Sequence, residues 1–140
     1  MNKTRVLFLC TGNSARSQMA EAFLRKHGAD FFEACSAGLE PKEIHPLTRQ
    51  VLAERGIDMA DQYAKDLGEY MGRVHFGYLI TVCDRAEQRC PIFPGMGLRL
   101  HWPFEDPAGV AGSEDEKLAV FRCVRDQIEA RVLDWLKNSE

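Results

Sequence analysis

Apolar and polar positions alternate along the chain in blocks that have the lengths of strands and helices. Four short blocks, residues 6–10, 31–38, 76–83 and 98–102, are rich in apolar and small residues and predict strands. The first two blocks that separate them, and the one that follows the last, carry the signals of helices, while residues 84–89 form a charged segment between the third and fourth strands. This alternation predicts an α/β fold, in which one four-stranded parallel sheet has helices on both faces. A length of 140 residues corresponds to a single domain over residues 1–140.

Capping residues mark the ends of the predicted helices. The first helix stops at Gly28, after a cationic last turn. Pro46 opens the second helix and Gly56 closes it. Ser113 and Glu116 have the spacing of a capping box and start the last helix. That helix presents apolar residues to the core at helical spacing, namely Leu118, Phe121, Val124, Ile128, Val132 and Trp135.

The first apolar run enters a segment that is typical of an oxyanion-binding loop. Cys10 ends the run, and Arg16 follows six positions later at the start of a helix. This span lets the backbone N–H groups curl around one tetrahedral anion, and the N-terminus of the helix favours negative charge at the same place. Gly12 and Asn13 suit the unusual backbone angles of such a curl, and Arg16 offers a planar fork for two oxygens. The predicted oxyanion-binding residues are Thr11, Gly12, Asn13, Ser14, Ala15, Arg16 and Ser17.

The same loop makes Cys10 a candidate nucleophile. We expect the N–H groups and the helix dipole to lower the pKa of Cys10, so that its thiolate reacts near neutral pH. The nucleotide-binding patterns G-x-x-x-x-G-K-[ST] and G-x-G-x-x-G are absent from this segment. The alternative is a buried cysteine in an ordinary strand-to-helix turn.

Charge and cysteine content narrow the class of protein. The formal net charge of −3 is too small to indicate nucleic acid or a membrane surface as a partner. The N-terminal apolar run is short and no run has the length of a membrane span, so we expect neither a signal peptide nor a membrane segment. Five cysteines, an odd number, argue against a secreted disulfide framework and for redox, catalytic or metal chemistry. We expect a cytoplasmic monomer.

Strand ends are expected to bring three reactive residues together. Cys10, Cys83 and Asp106 each lie at or just after the end of a predicted strand, and ligands of open parallel sheets bind beyond those ends. Cys90 follows Cys83 by seven positions, across a polar segment. In a helix their Cα atoms would be roughly 10 Å apart, whereas a disulfide needs about 7 Å or less.

This spacing suggests a hypothesis about the segment between the two cysteines. We hypothesise that residues 84–89 are ordered when both thiols are reduced and partly unwound when Cys83 and Cys90 are bridged. Two structural thiols are one alternative, and two zinc ligands are another. Zinc fits poorly, because two further ligands at a suitable spacing are missing.

Several motifs together carry a family resemblance: residues 10–21, Ser36-Ala37-Gly38, the pair Cys83 and Cys90 followed by Pro91, His101-Trp102, and the Asp-Pro-Ala-Gly turn at 106–109. On these motifs the chain resembles the thioredoxin-coupled arsenate reductases, which are built on the low-molecular-weight protein tyrosine phosphatase fold. The match runs over nearly the whole chain, and its first motif is shared with the phosphatases. The cysteine pair and the Asp-Pro-Ala-Gly turn favour the reductases, since the phosphatases usually carry Tyr after Asp-Pro.

The resemblance implies a relay of three thiols. Cys10 attacks arsenate, Arg16 and the loop hold the oxygens, and Asp106 protonates the departing oxygen. Cys83 then attacks Cys10, and arsenite leaves. Cys90 attacks Cys83 and moves the disulfide outward to Cys83–Cys90, an accessible position where thioredoxin reduces it.

Two further assignments depend on the resemblance. Asp106 is preferred to Glu105 as the acid, because Pro107 fixes its turn. Some members of the family bind potassium beside the loop, and the matching positions carry oxygen ligands suited to a hard cation: Asn13, Glu21, Ser36 and Asp66. A buried polar network without metal is the alternative, so no cofactor is expected to be obligatory.

Two other functions are open on the sequence alone. A small phosphatase acting on phosphotyrosine or aryl phosphates would need only Cys10, Arg16 and Asp106, and the other cysteines would be incidental or would protect Cys10 from overoxidation. A non-catalytic oxyanion or redox sensor would signal through the segment between Cys83 and Cys90. A glutaredoxin or a mycothiol route is open beside thioredoxin as the source of electrons.

Overall fold

The sheet consists of parallel strands, with the first strand of the chain inside it. The structure is a computed structural model that describes residues 3–90 and 96–138. In this part of the chain the strands are β1 (Thr4–Cys10), β2 (Phe32–Gly38), β3 (Phe76–Thr81) and β4 (Met96–His101), and they pair in the order β2-β1-β3-β4. All three pairings are parallel. The predicted α/β fold with a four-stranded parallel sheet is confirmed.

The helices are α1 (Arg16–Gly28), α2 (Pro46–Ala53), α3 (Asp84–Arg89) and α4 (Glu114–Asn138), and two short 3-10 turns cover Leu67–Glu69 and Pro107–Gly109. α4 packs against both α1 and α2. None of the helices in the described ranges combines the length and the apolar character that crossing a membrane requires.

Local hydrogen bonds explain where the helices begin and end. The predicted capping box is present, because Ser113 N donates to Glu116 and Glu116 N donates to the Ser113 hydroxyl, both over 3.2 Å. The assigned helix α2 ends at Ala53, and Gly56 closes it as predicted, in a Schellman pattern in which Ile57 N donates to Leu52 O. Gly56 takes the left-handed conformation that this pattern needs, with φ of +74°.

Burial places the core on both sides of β1. Residues 6–9 are 0% exposed, as a central parallel strand requires. An aromatic cluster anchors α4 on the sheet, because Trp135 contacts Phe32, Tyr78 and Trp102, with ring centroids 4.9, 5.1 and 5.8 Å away. β3 stops at Thr81, two residues before the predicted end, because Cys83 already serves as the N-cap of α3.

An ion-pair network joins α2 to α4. The buried Arg125 donates to Val51 O over 3.0 Å and to Glu54 over 2.6 Å, so it satisfies a carbonyl near the end of α2. Glu54 also accepts from Arg122 over 2.7 Å. The hydrogen bonds from Arg122 and Arg125 lower the pKa of Glu54 to about 2.

We expect Glu54→Gln to lower the melting temperature by a few degrees at pH 7, because these contacts with α4 are lost. A lowered pKa in the folded protein means that the stabilisation is present above the ordinary value of 4.5 and is lost as the pH falls toward about 2. Melting curves of the wild type and the variant should therefore converge over that range. Glu33→Gln, which removes the exposed pair with Arg5, is the control and should change less. A difference that does not depend on pH would contradict the assignment.

Candidate active site

The loop between β1 and α1 forms the floor of the site. Cys10 is the last residue of β1 and Arg16 is the first residue of α1. Asn13 has a φ of 52°, the left-handed value that was expected in the curl. The expectation was wrong for Gly12, whose φ is not positive. A Cβ at Gly12 would lie 3.8 Å from Cδ of Lys42, which is an ordinary van der Waals contact.

The carbonyl groups of this loop are bonded from outside. Residues 39–45 follow β2 and donate their N–H groups to four loop carbonyls: Leu39 to Cys10, Glu40 to Thr11, Lys42 to Gly12 and His45 to Ser14, over 2.8–3.2 Å. The side chain of Gln18 donates to Asn13 O over 3.1 Å. In a planar trans peptide the N–H of one residue points opposite to the C=O of the residue before it. Because these loop carbonyls are hydrogen-bonded on the side away from the pocket, the N–H groups of the same peptide units face the pocket.

Gly38 makes this arrangement possible. β1 and β2 pair with Cys10 opposite Gly38, so the chain leaving β2 passes directly beside the loop. A Cβ at Gly38 would lie 2.7 Å from Thr11 O and 3.0 Å from Asn13 N, which is too close for any side chain. Sequence reasoning missed the stretch 39–45, because its contribution comes from backbone groups; the Ser36-Ala37-Gly38 motif was the available signal.

The thiol of Cys10 lies at the bottom of the pocket, and 2% of the residue is exposed. Its Sγ is 2.8 Å from Ser17 Oγ and accepts from Asn13 N over 3.2 Å. Ser17 Oγ itself accepts from Asn13 Nδ2 over 2.8 Å, so the hydroxyl proton of Ser17 is left to donate to Cys10. A thiolate at Cys10 would therefore accept from the Ser17 hydroxyl and from Asn13 N.

The electrostatic balance at Cys10 differs from the sequence-based expectation. Burial is the largest influence and raises the pKa of the Cys10 thiol. The hydrogen bonds from Ser17 and Asn13 lower this pKa and so offset part of the rise. The net effect is a raised pKa of Cys10 and not the lowered pKa that was predicted, because a loop that folds tightly enough to collect N–H groups also removes the sulfur from water.

Arg16 and Asp106 meet at the mouth of the pocket. Arg16 Nη1 donates to Phe104 O over 3.0 Å, and its Nη2 lies 3.8 Å from Asp106 Oδ2. The other carboxylate oxygen of Asp106 accepts from Ala108 N over 3.0 Å, which fixes the side chain at the start of the Pro107–Gly109 turn. Asp106 lines the cavity around Cys10, and Glu105 is not among the lining residues, so the geometry favours Asp106.

The cavity has a volume of about 640 Å³ and brings most of the predicted site together. Cys10, Arg16, Cys83 and Asp106 all line it. Its rim carries charges of both signs, from Glu40, Lys42, Glu43, Asp84 and Arg85, and it also includes His45. Lys42 and His45 were given no role from the sequence.

Cys83 and Cys90 lie at the two ends of α3. Cys83 is the N-cap, where its Sγ accepts from Ala86 N over 3.4 Å and lies 3.6 Å from Thr11 Oγ1. Cys90 is the C-cap, and its N–H donates to Ala86 O over 2.9 Å. All five cysteines fall within the described ranges, and all of them are thiols. The segment between Cys83 and Cys90 is thus helical in the reduced chain.

Cys90 does not line the cavity that Cys83 and Cys10 share. The residue is only 8% exposed while its thiol is reduced. The accessibility expected of a Cys83–Cys90 disulfide concerns the oxidised form and stays a prediction. Burial raises the pKa of the Cys90 thiol, and the nearby Arg99 lowers it. Pro91, which belongs to the sequence motif, lies outside the described residues.

Of the predicted potassium ligands Asn13, Glu21, Ser36 and Asp66, the first three are buried and Asp66 is not. Asp66 is exposed and accepts from Gly68 N over 2.7 Å. Lys65 takes the inner position instead: its side chain is 6% exposed, and its Nζ lies 3.9 Å from Glu21 Oε1 and donates to Tyr63 O over 2.8 Å.

The inner polar atoms of the predicted potassium site are already satisfied. Ser36 donates to Glu21 Oε1 over 2.6 Å, while Asn13 Oδ1 accepts from Gln18 and from Lys65 N over 3.0 Å each. These residues do not fit a potassium ion, because an ammonium group already supplies the positive charge beside Glu21.

Comparisons with known proteins agree with this geometry. The profile of the family described as low molecular weight phosphotyrosine protein phosphatase matches residues 5–140. The chain is 39% identical to an arsenate reductase of Shouchella clausii (strain KSM-K16) and 40% identical to an arsenate reductase of Halalkalibacterium halodurans. Both alignments extend over 140 residues and cover the full length of both proteins.

Solved structures with a similar fold include reductases and a phosphatase. A structure described as an arsenate reductase in the phosphate binding state superposes with a TM-score of 0.82 at 31% identity, over 98% of this chain and 99% of that one. A thioredoxin-dependent arsenate reductase of Corynebacterium glutamicum gives 0.68 at 30% identity, over 97% of this chain and 61% of that one. An arginine phosphatase of Geobacillus stearothermophilus gives 0.73 at 25% identity, over 96% and 92%.

We expect Ser17→Ala to slow the alkylation of Cys10 by iodoacetamide about tenfold at pH 7, because the thiolate loses a hydrogen-bond donor. Since that hydrogen bond lowers the pKa of Cys10, the pH profile of the reaction should also move to higher pH. Mass spectrometry of the peptide that contains Cys10 measures the rate. Ser113→Ala, the same change at the exposed cap of α4, is the matched control. An unchanged profile for Ser17→Ala would show that Ser17 does not donate to the sulfur.

Proposed function

The chain belongs to the low molecular weight phosphotyrosine protein phosphatase family, and on this premise we propose that it reduces arsenate to arsenite by a relay of three thiols. The observation that carries the proposal is the position of Cys83, which opens into the same cavity as Cys10 and caps a helix that ends at Cys90. A phosphatase needs only the first of these thiols. The full-length similarity to arsenate reductases supports the same conclusion.

The first step is attack by the Cys10 thiolate on arsenate. An S–As bond forms and an As–O bond breaks, and the departing oxygen leaves as water after it takes a proton. The inward N–H groups of the loop and the Arg16 guanidinium hold the remaining oxygens. Asp106 lies at the mouth of the cavity and would supply the proton.

The second step moves electrons to arsenic. The thiolate of Cys83 attacks Cys10 Sγ, so that a Cys10–Cys83 disulfide forms and the S–As bond breaks. The electron pair of that bond stays on arsenic, which is reduced from As(V) to As(III) and leaves as arsenite. Phosphate has no corresponding reduction, so the same pocket would only hydrolyse phosphate esters.

The third step transfers the disulfide away from the pocket. The thiolate of Cys90 attacks Cys83 Sγ and releases Cys10 as a thiolate, which leaves a Cys83–Cys90 disulfide. We propose that thioredoxin reduces this disulfide; the similarity to a Corynebacterium glutamicum arsenate reductase that is described as thioredoxin-dependent supports this choice of electron donor. A cytoplasmic location would keep the thiols reduced between turnovers.

Phosphate ester hydrolysis is the second candidate function. Cys10, Arg16 and Asp106 supply a nucleophile, an anion clamp and an acid, and the similarity to an arginine phosphatase favours this activity. The reductase and the phosphatase therefore share the first step and differ in whether Cys83 and Cys90 are used.

We expect Cys90→Ser to limit arsenate reduction to a single turnover while the hydrolysis of an aryl phosphate is unchanged. Without the Cys90 thiol the disulfide cannot leave Cys10, so a Cys10–Cys83 disulfide should accumulate and be visible by peptide mass spectrometry. Arsenite production with thioredoxin, thioredoxin reductase and NADPH measures the turnover.

Cys123→Ser is the matched control, because Cys123 is an exposed thiol on α4 outside the cavity. It should keep full turnover. If Cys90→Ser turned over arsenate at the wild-type rate, the relay would be refuted and the phosphatase would be the better assignment.

We further propose that the enzyme needs no potassium, because Lys65 Nζ supplies the cation beside Glu21. Exchange of potassium for sodium at constant ionic strength should change the turnover rate less than about twofold, a change of under about 0.5 kcal/mol. Lys65→Gln should lower the melting temperature in both salts, since it leaves the buried Glu21 with less positive charge. A wild-type rate that depends strongly on potassium would contradict this proposal.

A further inference from the structure

The C-terminal end of α3 is held by one side chain of the neighbouring strand. Arg99 of β4 donates from Nη2 to Glu87 O over 2.5 Å and from Nη1 to Cys90 O over 3.4 Å. Its Nε lies 3.3 Å from the carboxylate of Glu87. The last carbonyls of a helix lack partners within the helix and carry partial negative charge, so a guanidinium at this position stabilises the helix.

Arg99 also lies near the Cys90 thiol. Its positive charge lowers the pKa of Cys90, against the effect of burial. The same side chain therefore contacts the backbone that must move and influences the sulfur that must react.

Formation of a Cys83–Cys90 disulfide is incompatible with an intact α3. Cys83 and Cys90 flank the six-residue helix and are seven positions apart, a spacing that places their Cα atoms roughly 10 Å apart along a helix. A disulfide requires the two Cα atoms to approach to within about 7 Å. The contacts of Arg99 with Glu87 O and Cys90 O depend on the helical backbone, so they belong to the reduced form and are lost when the helix opens.

We propose that Arg99 is a positioning residue that holds α3 in its reduced, helical form and thereby sets the reduction potential of the Cys83–Cys90 disulfide. The inference rests on the proposed function for its disulfide. The couple takes up two electrons and two protons when an external dithiol reduces it, and the helix with its Arg99 contacts is regained in the same step. By stabilising the dithiol, Arg99 makes the disulfide easier for the electron donor to reduce.

Other side chains also hold α3, and they offer a matched control. Arg89, on α3 itself, forms an exposed ion pair with Glu40 over 3.1 Å. No contact of Arg89 with a backbone carbonyl of α3 is found in the described part of the chain. Arg89→Gln thus removes the same charge from the same region without removing the cap of the helix.

The test is a redox titration of the full chain in dithiothreitol buffers without arsenate. The oxidised fraction of Cys83 and Cys90 is measured by mass spectrometry after alkylation. We expect Arg99→Gln to shift the equilibrium about tenfold toward the disulfide, since hydrogen bonds from a charged group are lost; tenfold corresponds to a potential about 30 mV more negative. Arg99→Lys keeps the charge but offers a single nitrogen and should give a smaller shift in the same direction, while Arg89→Gln should stay within about twofold of the wild type.

Hydrogen exchange of residues 84–90 provides a second readout. In the reduced protein Arg99→Gln should exchange faster over this segment alone, whereas the oxidised forms of the wild type and the variant should exchange alike. If both Arg99 variants titrate like the wild type, the proposal is overturned and the relay stands. If the wild type forms no Cys83–Cys90 disulfide at any potential, the proposed relay fails, and the role of Arg99 fails with it.

Discussion

The site depends on the way in which one stretch of backbone holds the carbonyls of another. A loop that binds an anion must present several N–H groups inward at once, and it can do so only if the carbonyls of the same peptide planes are satisfied elsewhere. Residues 39–45 supply that partner, because they run past the loop at the carboxyl ends of β1 and β2. The close approach at Gly38 fixes the distance between the two segments, so the pocket is positioned by the sheet itself.

A buried chain of hydrogen bonds between side-chain amides and a hydroxyl connects the loop to the Cys10 thiol. Gln18 donates to Asn13, Asn13 donates to Ser17, and Ser17 is left to donate to Cys10. Each member has one orientation that satisfies its neighbours, which is the condition under which buried polar groups stabilise a structure. The left-handed backbone of Asn13 is held by the same contacts. Burial and donation thus act on Cys10 in opposite directions, and an incoming anion would meet a pocket whose donors are already oriented.

Much of this could be predicted from the sequence, because it depends on local patterns. The run into Cys10, the position of Arg16 before a helix and the pairing of Ser113 with Glu116 each have a signature in the residue types. The topology rule for strand ends also brings Cys83 and Asp106 to the cavity that contains Cys10. These inferences need only the period of the pattern and the direction of the strands.

The remaining features depend on contacts between distant segments. Lys65 and Asp66 are neighbours in sequence, and only the turn at Leu67–Glu69 decides that Asp66 caps it while Lys65 faces Glu21. Likewise, Cys90 is buried because α3 packs against the sheet, which a count of seven positions cannot show. The loop carbonyls are held by backbone N–H groups of residues 39–45. Every residue except proline has such a group, so the residue types give no signal for this contact.

The contacts at the two ends of α3 suggest the sequence in which the steps of the proposed relay would occur. Cys83 Sγ accepts from Ala86 N and so caps the helix while the thiol is reduced. In the proposed relay, a bond from that sulfur to Cys10 would take the cap away from the first turn and so weaken a helix of only six residues. The helix would then be held mainly at its C-terminal end, where Arg99 donates hydrogen bonds to the carbonyls of Glu87 and Cys90. The first disulfide would therefore prepare the unwinding that the second one requires, and Cys90 would become mobile only after arsenic has left.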